Sequence, residues 1–255
     1  MGIKGFFQFF KRWEESITIE NAIKQQSVGI DLFCLLYQTK GDDTSLEVLV
    51  QPFFQYAREV HIVVDGRSMT QERRETVEER KSFRKGKIEI MEEIRMAPIM
   101  ESKDQKILDR YLEQLRKQSW KPSRDYIDLI KHRLIEQGAI IHEPDGEADQ
   151  TLIQLEKSGV IDRIVTNDSD LITLGAESVL RMTPNNTTLL SKTHLRKQMG
   201  FTIQQWEDFM YLCRHMIEPD ILLAYSLIRV YRELECVLQR WDGLHGEPLI
   251  QESYA

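Results

Sequence analysis

The sequence predicts an α/β fold with a central, mostly parallel sheet flanked by helices. Three features predict it: short β-branched runs recur along the chain, helical periodicities lie between them, and acidic residues stand directly after several of the runs. The first run is SVGI (27–30), the second VHIVV (60–64), the third GAII (138–141) and the fourth DRIVT (162–166), with weaker ones at SVLRM (178–182) and TTLLS (187–191). Ser123 is placed to cap a helix that carries Ile127, Ile130 and Leu134 on one face and stops at Gly138. EADQTLIQLEKSG supplies the next helix, ending at Gly159. Asn185, Asn186 and Thr187 read as a hairpin turn before the last run. Such alternation gathers loops at the carboxyl ends of the strands on one edge, where ligands bind.

The stretch 68–120 breaks this pattern, being highly charged, helical in period and without strand signals. It reads as an inserted helical arm whose stripe of Ile107, Leu108, Tyr111, Leu112 and Leu115 docks on the body. After 192 the pattern is helical, with Trp206, Phe209, Met210 and Cys213 on one face and Leu227, Ile228, Tyr231 and Leu234 on another. A single domain over 1–255 is expected, made of a first α/β segment (1–67), the arm (68–120), a second α/β segment (121–192) and a helical region (193–255).

Hydrophobic residues at 41% and charged residues at 29% are ordinary for a globular chain. No apolar run reaches the ~18 residues that would span a bilayer, so no membrane role is expected. The start, MGIKGFFQFFKRW, interleaves charges with aromatics, unlike a secretory signal. Cys34, Cys213 and Cys236 are widely spaced among apolar neighbours, which suits buried thiols and a nuclear or cytoplasmic setting. The histidines show no paired spacing for zinc. A net charge of −7 argues against a protein that grips nucleic acid by bulk positive charge. Bases are nevertheless collected at Arg73, Arg74, Arg80, Lys81, Arg84, Lys85 and Lys87, where an exposed helix laced with ion pairs is the plain alternative.

The acids carry the chemistry. Asp31 follows SVGI, Asp65 follows HIVV, Asp168 and Asp170 follow RIVTN, and Glu147 with Asp149 opens the helix after GAII. One Asp at a strand end is as readily a turn former or helix cap. Six carboxylates converging on one edge repel each other unless cations neutralise them. Magnesium takes such oxygen ligands, and two ions roughly 4 Å apart can activate a water and stabilise the leaving oxygen of an in-line displacement at phosphorus.

MGIKGF, VGIDLFCLLY, VVDGRS, EPDGEAD and VTNDSDLITLGA, in this order and strand context, resemble the flap endonuclease/XPG nuclease family over positions 1–192. The aromatic start FFQFFKRW is also similar to the related 5′→3′ exoribonucleases. The resemblance implies a PIN-like, resolvase-like sheet and metal-dependent hydrolysis of branched, flap or 5′-end-bearing nucleic acid, DNA or RNA. It implies Asp31, Asp65, Glu147, Asp149, Asp168 and Asp170 as ligands of two Mg²⁺ ions, with Mn²⁺ able to substitute. Tyr37 matches the family's aromatic that stacks on a nucleobase beside the scissile phosphate, with core packing as the bland alternative. Arg73 and Arg80 match its phosphate-contacting pair, and seven residues make almost two helical turns, so both can project from one face. Lys81 and Arg84 of the same run join the nucleic-acid surface, and the family's amino end, here Gly2, lies near its active site.

The remainder departs from the family. Its Gly-Ser-Asp turn and glycine-rich hairpin are absent from MYLCRHMIEPDILLAYSLIRVYRELECVL, so duplex grip is expected to be poor and a protein partner to supply it. Asp220 or Glu218, flanking Pro219, is a shifted seventh ligand or only a helix cap. A ribonuclease and an inactive nuclease-like scaffold remain beside the main reading. A phosphatase with strand-end acids is disfavoured because D-x-D-x-[TV] is missing after the first run.

Overall fold

The computed structural model describes residues 3, 5–66, 71–96, 102–183, 186–218, 220–245 and 248–250. The chain opens on a short helix α1 (Phe6–Phe10) and a 3-10 turn (Lys11–Trp13), then a two-residue strand β1 (Glu15–Ser16) and helix α2 (Ile19–Ile23). Strand β2 (Ser27–Asp31) leads into α3 (Leu32–Thr39), α4 (Asp43–Tyr56) and β3 (Glu59–Val63). Two long helices follow, α5 (Gln71–Met96) and α6 (Ser102–Ser119). Then come α7 (Arg124–Glu136), β4 (Ile140–His142), α8 (Ala148–Lys157), β5 (Arg163–Val165), α9 (Asp170–Thr173), β6 (Ser178–Thr183) and β7 (Asn186–Ser191). Helices α10 (Lys192–Met199), α11 (Ile203–His215), α12 (Ile221–Tyr231) and α13 (Leu234–His245) complete the order.

The strands form one sheet in the order β1-β7-β6-β5-β2-β3-β4. Neighbours from β6 through β4 pair in parallel, whereas β6 with β7 and β7 with β1 pair antiparallel. The β2–β3 register sets Asp31 opposite Val63, which brings the carboxyl ends of both strands level. In the β6–β7 pair Thr183 faces Asn186, so Asn186 and Thr187 are strand residues and not turn residues as expected, and Asn185 lies outside the described residues.

One apolar cluster, around Phe6, Leu152, Trp206 and Phe209, gathers α1, α8 and the carboxyl-terminal helices. The other, around Val28, Leu36, Phe53 and Ile130, gathers α2, α3, α4 and α7. β5 and β6 contribute to both, with Ile164 and Val179 in the first and Val165 and Leu180 in the second, as strand alternation requires. The aromatic start is therefore core: Phe6 and Phe10 are buried, the Phe10 ring centroid lies 6.2 Å from that of Trp206, and Arg181 stacks over Phe7 at 3.5 Å.

Several helix starts are capped as their sequences dictate. Ser123 accepts from the Tyr126 N–H, and Thr202 with Gln205 forms a reciprocal capping box on α11. Three expectations need correction. The arm helices α5 and α6 pack on each other: Leu115 of α6 and Met91 of α5 are buried, while Ile107 and Tyr111 stay exposed. Leu234 is not on one face with Leu227 and Ile228, because Arg232 adopts φ 72 and turns the chain into α13. Cys236 is exposed and Cys34 half-buried, leaving Cys213 as the buried thiol of the three. None of the described helices is long and apolar enough to cross a membrane.

Candidate metal centre at the strand ends

Each acid is held by the turn that follows its strand. Asp31 is the last residue of β2 and also caps α3, its Oδ1 accepting from the Phe33 N–H at 2.8 Å. Beyond β3, Val64 donates to the His142 carbonyl at 2.9 Å and Gly66 to the Gly146 carbonyl at 2.8 Å, so the loops after β3 and β4 run side by side. A Cβ on Gly66 would lie 2.2 Å from the Pro144 carbonyl oxygen, so only glycine permits this approach. Asp65 Oδ1 in turn accepts from the Ala148 N–H at 3.0 Å, tying the end of β3 to the first turn of α8. Glu147 occupies the cap position of α8 without a side-chain cap bond, and Asp149 lies in its first turn, where the helix dipole favours negative charge.

The loop after β5 is fixed more elaborately. Thr166 Oγ1 accepts from the Asp168 N–H at 3.0 Å, and Asp168 Oδ1 accepts from the Asp170 N–H at 3.1 Å. Asn167 behaves like a strand residue by its side chain: Nδ2 donates to the Met182 carbonyl at 2.8 Å and Oδ1 accepts from the Met182 N–H at 3.2 Å. Its backbone N–H meets Cys34 Sγ at 3.2 Å. Burial and then Asp31 push the Cys34 thiol up to about 11, so it stays protonated. The amino-terminal segment reaches this loop, with the Ile3 N–H donating to Ser169 Oγ at 2.8 Å. Gly2 lies outside the described residues.

Burial, then the charge of Asp65, push the Asp31 carboxyl up to about 7. Burial, then Asp31, Asp168, Asp65 and Asp170, push Asp149 up to about 7. Burial and Asp168 push Asp170 up to about 6, with Arg214 acting in the opposite sense. Five carboxylates from four strand ends thus feel one another. Among the described residues no three acids or histidines already stand at the spacing of a finished metal cage. The donor set is nonetheless all oxygen and strongly anionic, and hard divalent ions are its natural counter-charge.

The other candidates lie on α3, on α5 and about the start of α12. Tyr37, on α3 one helix length from Asp31, is 42% exposed, so it is a surface ring and not a core one. Arg80 and Lys81 are exposed on α5, Lys81 pairing with Glu78. Arg84 is half-buried in a row with Lys87, Met91 and Ile94 that marks the seam with α6. Arg73 lies on α5, its side chain outside the description. Asp220 caps α12, its Oδ1 accepting from the Leu222 and Leu223 N–H groups at 2.9 and 3.1 Å. Glu218 is exposed, and Pro219 lies outside the described residues. Sequence reasoning missed Arg214 and Asn167, because nothing in one dimension brings α11 to Asp170 or the Asn167 amide to Met182.

The XPG I-region family model matches residues 140–215, from β4 through α11. The chain is 26% identical over 282 aligned positions to flap endonuclease 1 of Entamoeba histolytica, covering 97% of this chain and 72% of that protein. It superposes on the catalytic core of Rad2 in complex with DNA substrate with a TM-score of 0.65 at 14% identity, covering 95% of this chain and 72% of that one. The Holliday junction-resolving enzyme GEN1 in complex with product DNA and Mg²⁺ gives a TM-score of 0.54 at 16% identity, over 95% of this chain and 55% of that one.

Proposed function

We propose that this chain, which belongs to the flap endonuclease/XPG-like nuclease family, is a structure-specific nuclease that hydrolyses phosphodiesters in branched or 5′-end-bearing DNA with Mg²⁺ as cofactor. The observation that supports the reading is the convergence of carboxylates from four strand ends, where burial and then the neighbouring acids push Asp31 and Asp149 up to about 7 and Asp170 up to about 6. Asp31, Asp65, Glu147, Asp149, Asp168 and Asp170 are the residues to hold the ions, with Mn²⁺ able to substitute. Divalent ions bound there supply charge neutralisation at phosphorus and acidify an attacking water.

The protein's own groups do the rest. Backbone donors at Phe33, Ala148 and Asp170 fix one oxygen each of Asp31, Asp65 and Asp168, which preorders the site before substrate arrives. Arg73 and Arg80, raised on α5, stabilise charge on the phosphate in the transition state, and Lys81 and Arg84 add to the same basic helix. Tyr37 stacks on the nucleobase beside the scissile phosphate. The cap bonds of Asp220 favour a structural role over that of a seventh ligand. The chain acts in the nucleus or cytoplasm, as one nuclease domain with a partner supplying duplex grip.

Cleavage of a labelled 5′-flap duplex tests this. Wild type is expected to cut with Mg²⁺ or Mn²⁺ and not in EDTA, and Asp168→Asn to lose orders of magnitude in turnover while keeping its fold. Cleavage in EDTA sinks the metal mechanism, and a folded wild type that binds the flap but cuts under neither ion returns the scaffold reading.

A further inference from the structure

Building on that reading of Tyr37, we propose that Trp120 is a positioning residue that fixes the Tyr37 ring for base stacking and ties it to the end of the arm. Tyr37 projects from α3 four residues after Phe33, whose ring centroid is 6.3 Å away. Its other neighbour is Trp120, met edge-on with centroids 5.8 Å apart and planes at 89°. Trp120 is the first residue after α6, so this contact joins the arm to the helix that Asp31 caps.

The indole is itself braced on two sides. Gly41 turns the chain at φ 80, and a Cβ there would come within 2.8 Å of the Trp120 Nε1, so the absent side chain makes the indole's seat. Behind it stands Tyr126, again edge-on at 6.2 Å and 89°. The Tyr126 hydroxyl donates to Asp43 Oδ1 at 2.9 Å, and Arg133 holds Oδ2 of the same carboxylate at 2.8 Å. Burial and Asp43 push that hydroxyl up to about 12, so it remains a donor at working pH. Three rings thus run from a fixed ion pair to the exposed Tyr37, each set by the one behind it.

An exposed ring without such a brace must be immobilised when a base lands on it, and bracing it beforehand removes that cost from binding. A perpendicular contact restrains the ring without laying the indole parallel on it, and Tyr37 keeps 42% of its surface exposed. A tryptophan serving only to cover the apolar cluster has no such bearing on Tyr37.

The test uses two 5′-flap substrates, one with a 2-aminopurine base beside the scissile phosphate and one abasic there. Binding is measured in Ca²⁺ by anisotropy and 2-aminopurine quenching, and single-turnover cleavage in Mg²⁺. Wild type should favour the base-bearing substrate by about tenfold, the scale of one stacked base, and Tyr37→Ala should lose this preference. Trp120→Ala should reduce it to about twofold, Trp120→Phe should keep most of it, and Trp120→Ala with Tyr37→Ala should resemble Tyr37→Ala alone. A folded Trp120→Ala that retains the full preference overturns the proposal, as does a wild type with no preference in the binding arm. Trp120→Leu, which fills volume without a flat edge, answers the same question if the alanine variant does not fold. Absence of cleavage with intact base preference in Ca²⁺ counts against the nuclease reading alone.

Discussion

Replacing Asp149 by Asn should make the metal-free protein more stable while removing its activity. The Asp149 carboxyl is pushed from an ordinary 3.8 to about 7, first by burial and then by Asp31, Asp168, Asp65 and Asp170. A folded-state value above the unfolded one means that the group favours folding fully below pH ~4 and loses that contribution as pH rises to about 7. Three units correspond to about 4 kcal/mol at most. Asp149 is only half-buried and shares its repulsion with four other acids, so about 1–2 kcal/mol is the expected gain for Asn at pH 8. In a chain of this size that is about 4 °C in Tm. Thermal unfolding followed by circular dichroism, in EDTA at pH 8 and pH 4, measures it. The advantage should be present at pH 8, shrink towards zero at pH 4, and reverse when Mg²⁺ is added, since the wild type gains more from the ion. An Asn variant no more stable than wild type at pH 8 in EDTA, or equally advantaged at pH 4, refutes the reasoning.

Removal of Arg80 should lower kcat by ~10²-fold with little change in KM, as for loss of a preorganised donor to transition-state charge. Unchanged kcat in Arg80→Ala would return α5 to the ion-pair reading. Asp220→Ala should cost about 1 kcal/mol in denaturant unfolding, the worth of a helix cap, and leave the midpoint of a Mg²⁺ titration of cleavage where it was; a raised midpoint would make Asp220 a ligand after all. Gly66→Ala, whose new methyl meets the Pro144 carbonyl, should cost about 2 kcal/mol and depress cleavage through the displaced Asp65 and Ala148 contact. A variant of wild-type stability would show that the two loops separate freely.

The strand ends were legible because β-branched runs and the acids after them are adjacent in sequence, and β2, β3, β5 and β6 lie within a residue or two of the expected runs. β1 was not, since Glu15 and Ser16 carry no strand signal and are ordered only by pairing with Leu189 and Thr188. The direction of β7 was equally hidden, because TTLLS alternates the same way parallel or antiparallel. The turn at Arg232 escaped notice because an arginine with a positive φ stands where a glycine usually marks a helix end. At the site the acids could be picked from the sequence, but their supports could not. Asn167 reaches Met182, Arg214 acts on Asp170 and Trp120 meets Tyr37 only once the sheet and the arm exist.

The hydrogen bond that the Met182 N–H donates to Asn167 Oδ1 places a solvent-exchange reporter within the β6–β7 pair. That hydrogen leaves only when the loop bearing Asp168 and Asp170 lets go of β6, because the side chain and not a neighbouring strand holds it. Its exchange rate therefore reports the open population of the acid loop without substrate or turnover. An ion that clamps those carboxylates should slow this single hydrogen more than its neighbours along β6, which gives the centre a binding signal that can be read from a backbone position on the adjoining strand.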